Sequence, residues 1–496
     1  MGINLIKAIM TLKNYSQTLL FMLTMAFFST INAQTISDDL AAVADIIVDI
    51  NGTGDYLSVK DGLKAVPDSS DQWTVVYVKN GTYYEKVVLN HKKTKVVLVG
   101  EDVDSTIITY DDHADAVLPG HTFSSYTFRA DAHDFQAYNI TFENTATQSQ
   151  AVAFHSNGDR QILYHCKMLS YQDTYFDNFR TRRYIKDCFI AGAVDYIFGF
   201  GVTLFDSCQI HTINNGYITA AATPQYYEFG YVFKNCFLTK ESGKTFSFFL
   251  GRPWFPYSNT IFFECWEHQR VKPSGWETWD GRENTCIYRE YNCYGPGAEN
   301  LSFRASWSSQ LDSSLAPRYN IDTIFAITNF PIDSGYVVDS VELWSMRDRF
   351  EASGYADRAD TILFAGRDQW PEYPTENWSP VFYDSVYSII RQYKEPFANS
   401  IQTNTAIDNL SGENSGVEIL NPVNDRLTIS SEKNIHSHAK LTLYDINGRK
   451  VFEHNLNFIS EGLNEISIES ANLEAGVYLY HIQTDAFQAG GKILKY

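Results

Sequence analysis

The chain has 496 residues, 44% of them apolar and 15% aromatic, with 20% charged and a formal net charge of -20. That length exceeds one small core and suits a large domain with a smaller companion, and so low a charged fraction excludes a mostly disordered chain. The acidic balance, with no basic stripe to neutralise phosphates, excludes nucleic acid as a partner; it also disfavours polyanions unless a local basic groove overrides it.

Lys7 and Lys13 precede an apolar run from Leu19 to Phe28 and small residues ending at Ala33. This predicts a secretory signal over residues 1–33, with Met10 as an alternative start. The run is too short to span a bilayer. From about Asp45, the segment Gly54–Ser58 followed by Val59 and Leu63 predicts a strand and a capping helix ended by Pro67. Trp73–Val78 and Lys95–Val99 predict further strands.

A repeat then sets the architecture. Leu163-Tyr-His-Cys166, Ile185-Lys-Asp-Cys188, Phe205-Asp-Ser-Cys208, Phe233-Lys-Asn-Cys236 and Phe262-Phe-Glu-Cys265 each place a polar residue before an inward cysteine. Asn292-Cys293 continues the series and Tyr138-Asn-Ile140 precedes it, at intervals of 20 to 29 residues. That is the period of a solenoid whose coils bury their apolar faces only by stacking. Alternation and aromatic enrichment make the coils strands, so the fold expected is all-β, a right-handed parallel β-helix over residues 45–330. Six of the seven cysteines would stack in one internal column, where a free thiol packs as a small hydrophobe; neighbouring coils lie within disulfide range, but parallel side chains rarely meet the required torsion. No C-x-x-C or H-E-x-x-H occurs, so no metal is expected.

Residues 331–397 form an extension rich in Trp, Tyr and Pro, with Val386, Ile389, Ile390 and Tyr393 on one face of a helix expected to pack on the solenoid. Residues 398–416 turn to Asn, Ser, Thr and Gly, a linker. Over residues 417–496, Arg426–Ile429, Lys440–Tyr444, Glu465–Ile468 and Val477–Ile482 alternate as short strands, with Asp445-Ile-Asn-Gly448 as a turn, predicting a small β-sandwich.

Asp173 lies seven residues beyond Cys166, and Asp195 seven beyond Cys188. Equivalent positions on successive coils stack about 5 Å apart. Two carboxylates there repel by about 3 kcal/mol at an effective dielectric of roughly 20, on the order of two pKa units. One then stays ionised while its neighbour keeps a proton, the split that nucleophile and general acid require. Solvated turn residues would look the same in isolation; their company argues otherwise. Gln172 adjoins Asp173, Gln150 lies one coil earlier, and Arg252 sits in Gly251-Arg-Pro-Trp254. Amides can stabilise an oxyanion, and a guanidinium can hold a carboxylate ionised. Trp254, Tyr171, Tyr196 and Phe198 offer flat faces for sugar rings, or core packing.

Gly81-Thr-Tyr-Tyr-Glu85, Gln150-Ala-Val-Ala-Phe154, Tyr171-Gln-Asp-Thr174, Asp195-Tyr-Ile-Phe-Gly199 and Leu250-Gly-Arg-Pro-Trp254 resemble, in order, the signature motifs of the pectin methylesterase family. The resemblance implies hydrolysis of methyl-esterified homogalacturonan by a secreted monomer without cofactor. It implies Asp195 as nucleophile, Asp173 as general acid and then base, Gln150 and Gln172 as oxyanion hole, Arg252 as anchor of Asp195, and Trp254 at the substrate. Phe154 and Tyr175 stand where the family usually has Leu, and Tyr196 where it has Phe, which bears on subsite preference. Asn421-Pro-Val-Asn-Asp425, Leu443-Tyr-Asp-Ile-Asn-Gly-Arg449 and Ala475-Gly-Val-Tyr-Leu479 resemble the sorting domain of type IX secretion. This implies the type IX machinery as a partner and an extracellular or outer-membrane-surface location.

The rival readings are a glycosidase, a pectate lyase with Ca²⁺ at Asp111-Asp112-His113-Ala114-Asp115, and a non-catalytic polysaccharide-binding surface protein. A serine esterase has no G-x-S-x-G to stand on.

Overall fold

The computed structural model describes residues 36–117, 122–178, 181–241, 243–330 and 376–393, with seven strand segments between Val417 and Lys495. The expected signal over residues 1–33, the linker at 398–416 and the Asp445–Gly448 turn lie outside the described residues.

Three parallel sheets of 11, 8 and 7 strands wind together as a parallel β-helix. Each full coil gives one strand to each sheet, as in Gln161–Tyr164, Lys167–Leu169 and Tyr175–Asp177. The corner between the first and second sheets repeats one device. Asn139, His165, Asp187, Ser207, Asn235, Glu264 and Asn292 all adopt left-handed backbone, with φ between 46° and 57°. These are the polar residues that precede the inward column. Asn and Asp tolerate this region best because their short side chains bond locally. Asn139 also ties its coil to the preceding one, donating to the carbonyls of Gly100 and Glu101 at 3.0 and 2.9 Å.

Inside the corner, Cys166, Cys188, Cys208, Cys236 and Cys265 are fully buried and all seven cysteines are free. Their thiols reach backbone carbonyls, as Cys188 Sγ does to Leu163 O at 3.5 Å, so packing accounts for the column. Beside it Phe205, Phe233 and Phe262 stack at 4.4 and 4.5 Å between ring centres. Coil stacking thus puts like side chains in register, and burial of each Phe contributes about 1.5–3 kcal/mol.

The outer face of the first sheet is sealed. A helix over residues 36–43, unforeseen in the sequence, and the expected helix Asp384–Tyr393 cover Val75, Tyr77, Val97, Val99, Tyr138 and Tyr164. Val386 and Ile390 are fully buried there, and Ile389 packs against the same cluster. Leading into this helix, Tyr383 N donates to Gln136 Oε1 and Tyr138 Oη at 2.9 Å, and Gln136 Nε2 donates to Val381 O at 3.0 Å. Ser58 caps the helix Val59–Ala65 by accepting from Asp61 N.

The C-terminal strands form one three-stranded and one four-stranded antiparallel sheet. Leu441, Thr442 and Leu443 are buried on one strand, and Tyr480 and Ile482 on the strand paired with it.

Candidate active site

The corner between the second and third sheets brings the two candidate acids together. Asp173 and Asp195 have φ of 63° and 49°. Each begins a coil's passage into the third sheet, and the left-handed turn throws its side chain outward. Gln172 and Val194 form a parallel bridge, and Asp173 N donates to Val194 O at 3.1 Å. The two aspartates are therefore in register on adjacent coils, about 4.8 Å apart along the backbone ladder.

Both carboxylates are nearly buried, 7% exposed as residues. Arg252, on the strand Phe248–Pro253, grips Asp195 with Nε to Oδ1 at 3.0 Å and Nη2 to Oδ2 at 2.5 Å. Its guanidinium is fixed between two rings, 4.0 Å from the centre of Tyr217 and 4.0 Å from Trp279. The environments of the two acids differ accordingly. Burial, then the Asp195 charge, pushes Asp173 well above the usual carboxylate range, against bonds from Thr122 and Gln172. Burial also raises Asp195, but the Arg252 hydrogen bonds and charge oppose it. Both acids are thus raised, Asp173 further than Asp195, so a shared proton favours Asp173.

Gln150 lies one coil earlier, where Ala151 N donates to Gln172 O at 3.1 Å, and the Gln172 side chain bonds Asp173. Trp254 is half-buried, with its ring 5.8 Å from Phe198 and 5.4 Å from Phe200. Phe198 is only 4% exposed and stacks on Phe176 at 4.5 Å, so it forms the floor beneath Trp254 rather than an open face. Tyr171 is half-buried and its hydroxyl accepts from Asn214 Nδ2 at 3.0 Å. Tyr196 needs correction as a candidate for stacking sugars. It is fully buried in the core, its hydroxyl 2.9 Å from Thr212 Oγ1. The left-handed turn at Asp195 sends the next side chain inward.

Gly199 shapes the same strand. Its φ is 126°, and a Cβ there would lie 2.0 Å from the Asp177 carbonyl oxygen. Only glycine lets the Ile197–Gly199 strand lie this close to the preceding coil.

Sequence reasoning missed Tyr217, Trp279 and Thr122. A signal for Tyr217 existed: it follows Asp195 by the same 22 residues that separate Asp195 from Asp173. Of the acidic run, Asp112 pairs with Lys86 and Asp111 accepts from Tyr84, which binds that turn to the preceding coil. Glu267, Glu290 and Cys293 cluster as metal ligands would. Arg304 fills that cluster, 2.8 Å from each glutamate.

The family model described as pectinesterase matches residues 45–325, and that of the secretion system C-terminal sorting domain matches residues 421–495. The chain is 34% identical over 286 residues to pectinesterase 31 of Arabidopsis thaliana, spanning 55% of this chain and 89% of that protein. Among solved structures it is similar to a pectin methylesterase from carrot, at 31% identity and a TM-score of 0.54 over 57% of this chain and 92% of the other. A pectin methylesterase from Aspergillus niger matches at 29% identity and a TM-score of 0.50, covering 55% and 91%.

Proposed function

The chain belongs to the pectinesterase family through residues 45–325, and from that premise we infer how its coils carry out the hydrolysis of pectin methyl esters. It is a carboxylic ester hydrolase, and the observation that carries the mechanism is the bidentate Arg252–Asp195 pair beside a proton-holding Asp173.

Asp195, kept ionised by Arg252, attacks the methyl-ester carbonyl carbon of a galacturonate unit. The amides of Gln150 and Gln172 donate to the oxyanion that forms. Asp173 gives its proton to the departing methoxy oxygen, and methanol leaves an acyl-enzyme on Asp195. Asp173, now ionised, takes a proton from water. The resulting hydroxide cleaves the acyl bond, freeing the galacturonic acid, which gives its own proton to solvent, and leaving the proton on Asp173 and the charge on Asp195. Trp254 on its Phe198–Phe200 floor, with Tyr171 across the corner, offers surface to the sugar rings. Residues 1–33 act as the export signal and the C-terminal module as the address read by the type IX machinery. The enzyme works outside the cell or on its surface, with the linker at 398–416 as the point where the module is released or holds the protein.

Incubation of the full chain with highly esterified pectin tests the reading. Methanol and carboxylate should appear in equal amounts, without unsaturated sugar. Unsaturated product suppressed by EDTA would support a lyase instead, and binding without either product would support a surface adhesin.

A further inference from the structure

Arg252 holds Asp195 through two N–H bonds at once, which requires the edge of the guanidinium to stay turned to both carboxylate oxygens. A guanidinium is weakly hydrated and stacks by its faces on aromatic rings, so whatever covers those faces decides its tilt. The two rings against Arg252 are held differently. Trp279 is half-buried, reaches the site from a loop, and has Arg282 as a second cation, 5.6 Å from its ring. Tyr217 belongs to the solenoid itself. Ile197 pairs with Thr219, which sets Tyr217 on the coil after Asp195 at the same corner, and Tyr217 N donates to Ala193 O at 3.0 Å.

Three contacts immobilise that ring. Gly216, just before it, lies so near the preceding coil that a Cβ there would come 2.0 Å from Ala193 O, which brings the Tyr217 backbone tight against the coil of Asp195. Phe249, itself buried, stacks on the Tyr217 ring at 5.2 Å and 7° between planes. Lys272 Nζ in turn lies 4.0 Å from the Phe249 ring. Among the described residues the Tyr217 hydroxyl makes no hydrogen bond, so the position supplies a ring face and not a polar handle. The titratable groups that face Arg252 are Asp195, Tyr217 and Asp173, and Asp195 alone takes its hydrogen bonds.

We propose that Tyr217 is a positioning residue of the esterase, its ring fixing the tilt of the Arg252 guanidinium so that both N–H bonds stay on Asp195. The proposal rests on the esterase reading and deepens it. Tyr217 acts through Arg252 and forms or breaks no bond in the reaction. Without the ring, water enters at the guanidinium face, the fork tilts away and its charge is screened. Asp195, which burial already raises, then gives up its proton less readily.

The test is the pH profile of methanol release by the full chain. Tyr217→Leu should move the acidic limb of kcat/KM upward by about one unit, a loss of about tenfold on that limb, with KM on the plateau changed by less than about twofold. Tyr217→Phe, which keeps the ring, should retain the wild-type limb. In an Arg252→Gln background, Tyr217→Leu should cost less than about twofold more, because the group it acts through is gone. A limb left in place by Tyr217→Leu, an equal loss in the Arg252→Gln background, or a Phe variant as impaired as the Leu one overturns the proposal. Should Tyr217→Leu fail to fold, Tyr217→Met, whose unbranched chain fills the space without a ring face, carries the same predictions. The charge of Asp195 is read without turnover from the carbon-13 carboxyl signal that Asp195→Asn removes. Its titration should shift upward in Tyr217→Leu by the same unit, and an unchanged titration overturns the proposal whatever the kinetics. If the shift appears while the wild type releases no methanol, the positioning stands and the esterase reading falls.

Discussion

Replacing Arg252 by Gln isolates what the guanidinium does for Asp195. The substitution removes two charge-assisted hydrogen bonds, at 3.0 and 2.5 Å, from a carboxylate that burial already pushes upward. Stranding a buried charge without its partner costs about 3 kcal/mol or more, which corresponds to about two pH units. Asp195 acts in its ionised form, so a higher pKa moves the acidic limb of kcat/KM to higher pH. The expected profile is displaced upward by about two units, with a loss of about a hundredfold on the old acidic limb that shrinks across the old plateau as pH rises past the new pKa. The assay is methanol release from a methyl-esterified oligomer across pH. An Arg252→Gln enzyme slowed equally at every pH, with its acidic limb unmoved, would show that the arginine does not govern the charge of Asp195.

Asp173 keeps its proton in the fold but loses it above about pH 4 when unfolded. The native state then binds more protons, so this group's contribution to stability falls as pH rises from about 4 toward the raised folded value. Asp173→Asn should therefore gain denaturant midpoint relative to wild type at neutral pH and lose that advantage near pH 4; a constant difference would contradict the shared-proton assignment. Because the seven thiols are free, dithiothreitol should leave the Tm unchanged, and a drop on reduction would reveal a disulfide. Gly199→Ala should cost about 1–3 kcal/mol in denaturant unfolding, from its positive φ and the Asp177 carbonyl; a neutral effect would mean that coil can move aside. Ile390→Ala, which opens the seal over the first sheet, should cost about 2–5 kcal/mol in the same measurement while leaving KM unchanged. An altered KM would link that helix to the groove.

The cysteine period made the solenoid legible because stacking forces equivalent residues into one column. The same spacing places Asp173 and Asp195 in register on adjacent coils. What it lacked was direction. Left-handed residues at each corner interrupt the alternation of side chains, so Tyr196 turned into the core beside an outward Asp195. Tyr217 lies at the same 22-residue spacing beyond Asp195, but an aromatic there carries no acid to mark it. Trp279 and Thr122 reach the site from loops whose paths no periodicity encodes. The helix over residues 36–43 is short, and its place is decided by the first sheet's outer face, through Val75, Val97 and Tyr138.

The paired action of the two aspartates is tested most directly by the kinetics of Asp173→Asn, Asp195→Asn and the double variant on one esterified substrate. Groups that act as a unit give non-additive losses. Each single variant should fall by about a thousandfold or more, and the double variant should be no slower than the worse single one. Either single variant within about tenfold of wild type, or losses that multiply in the double variant, would contradict the account.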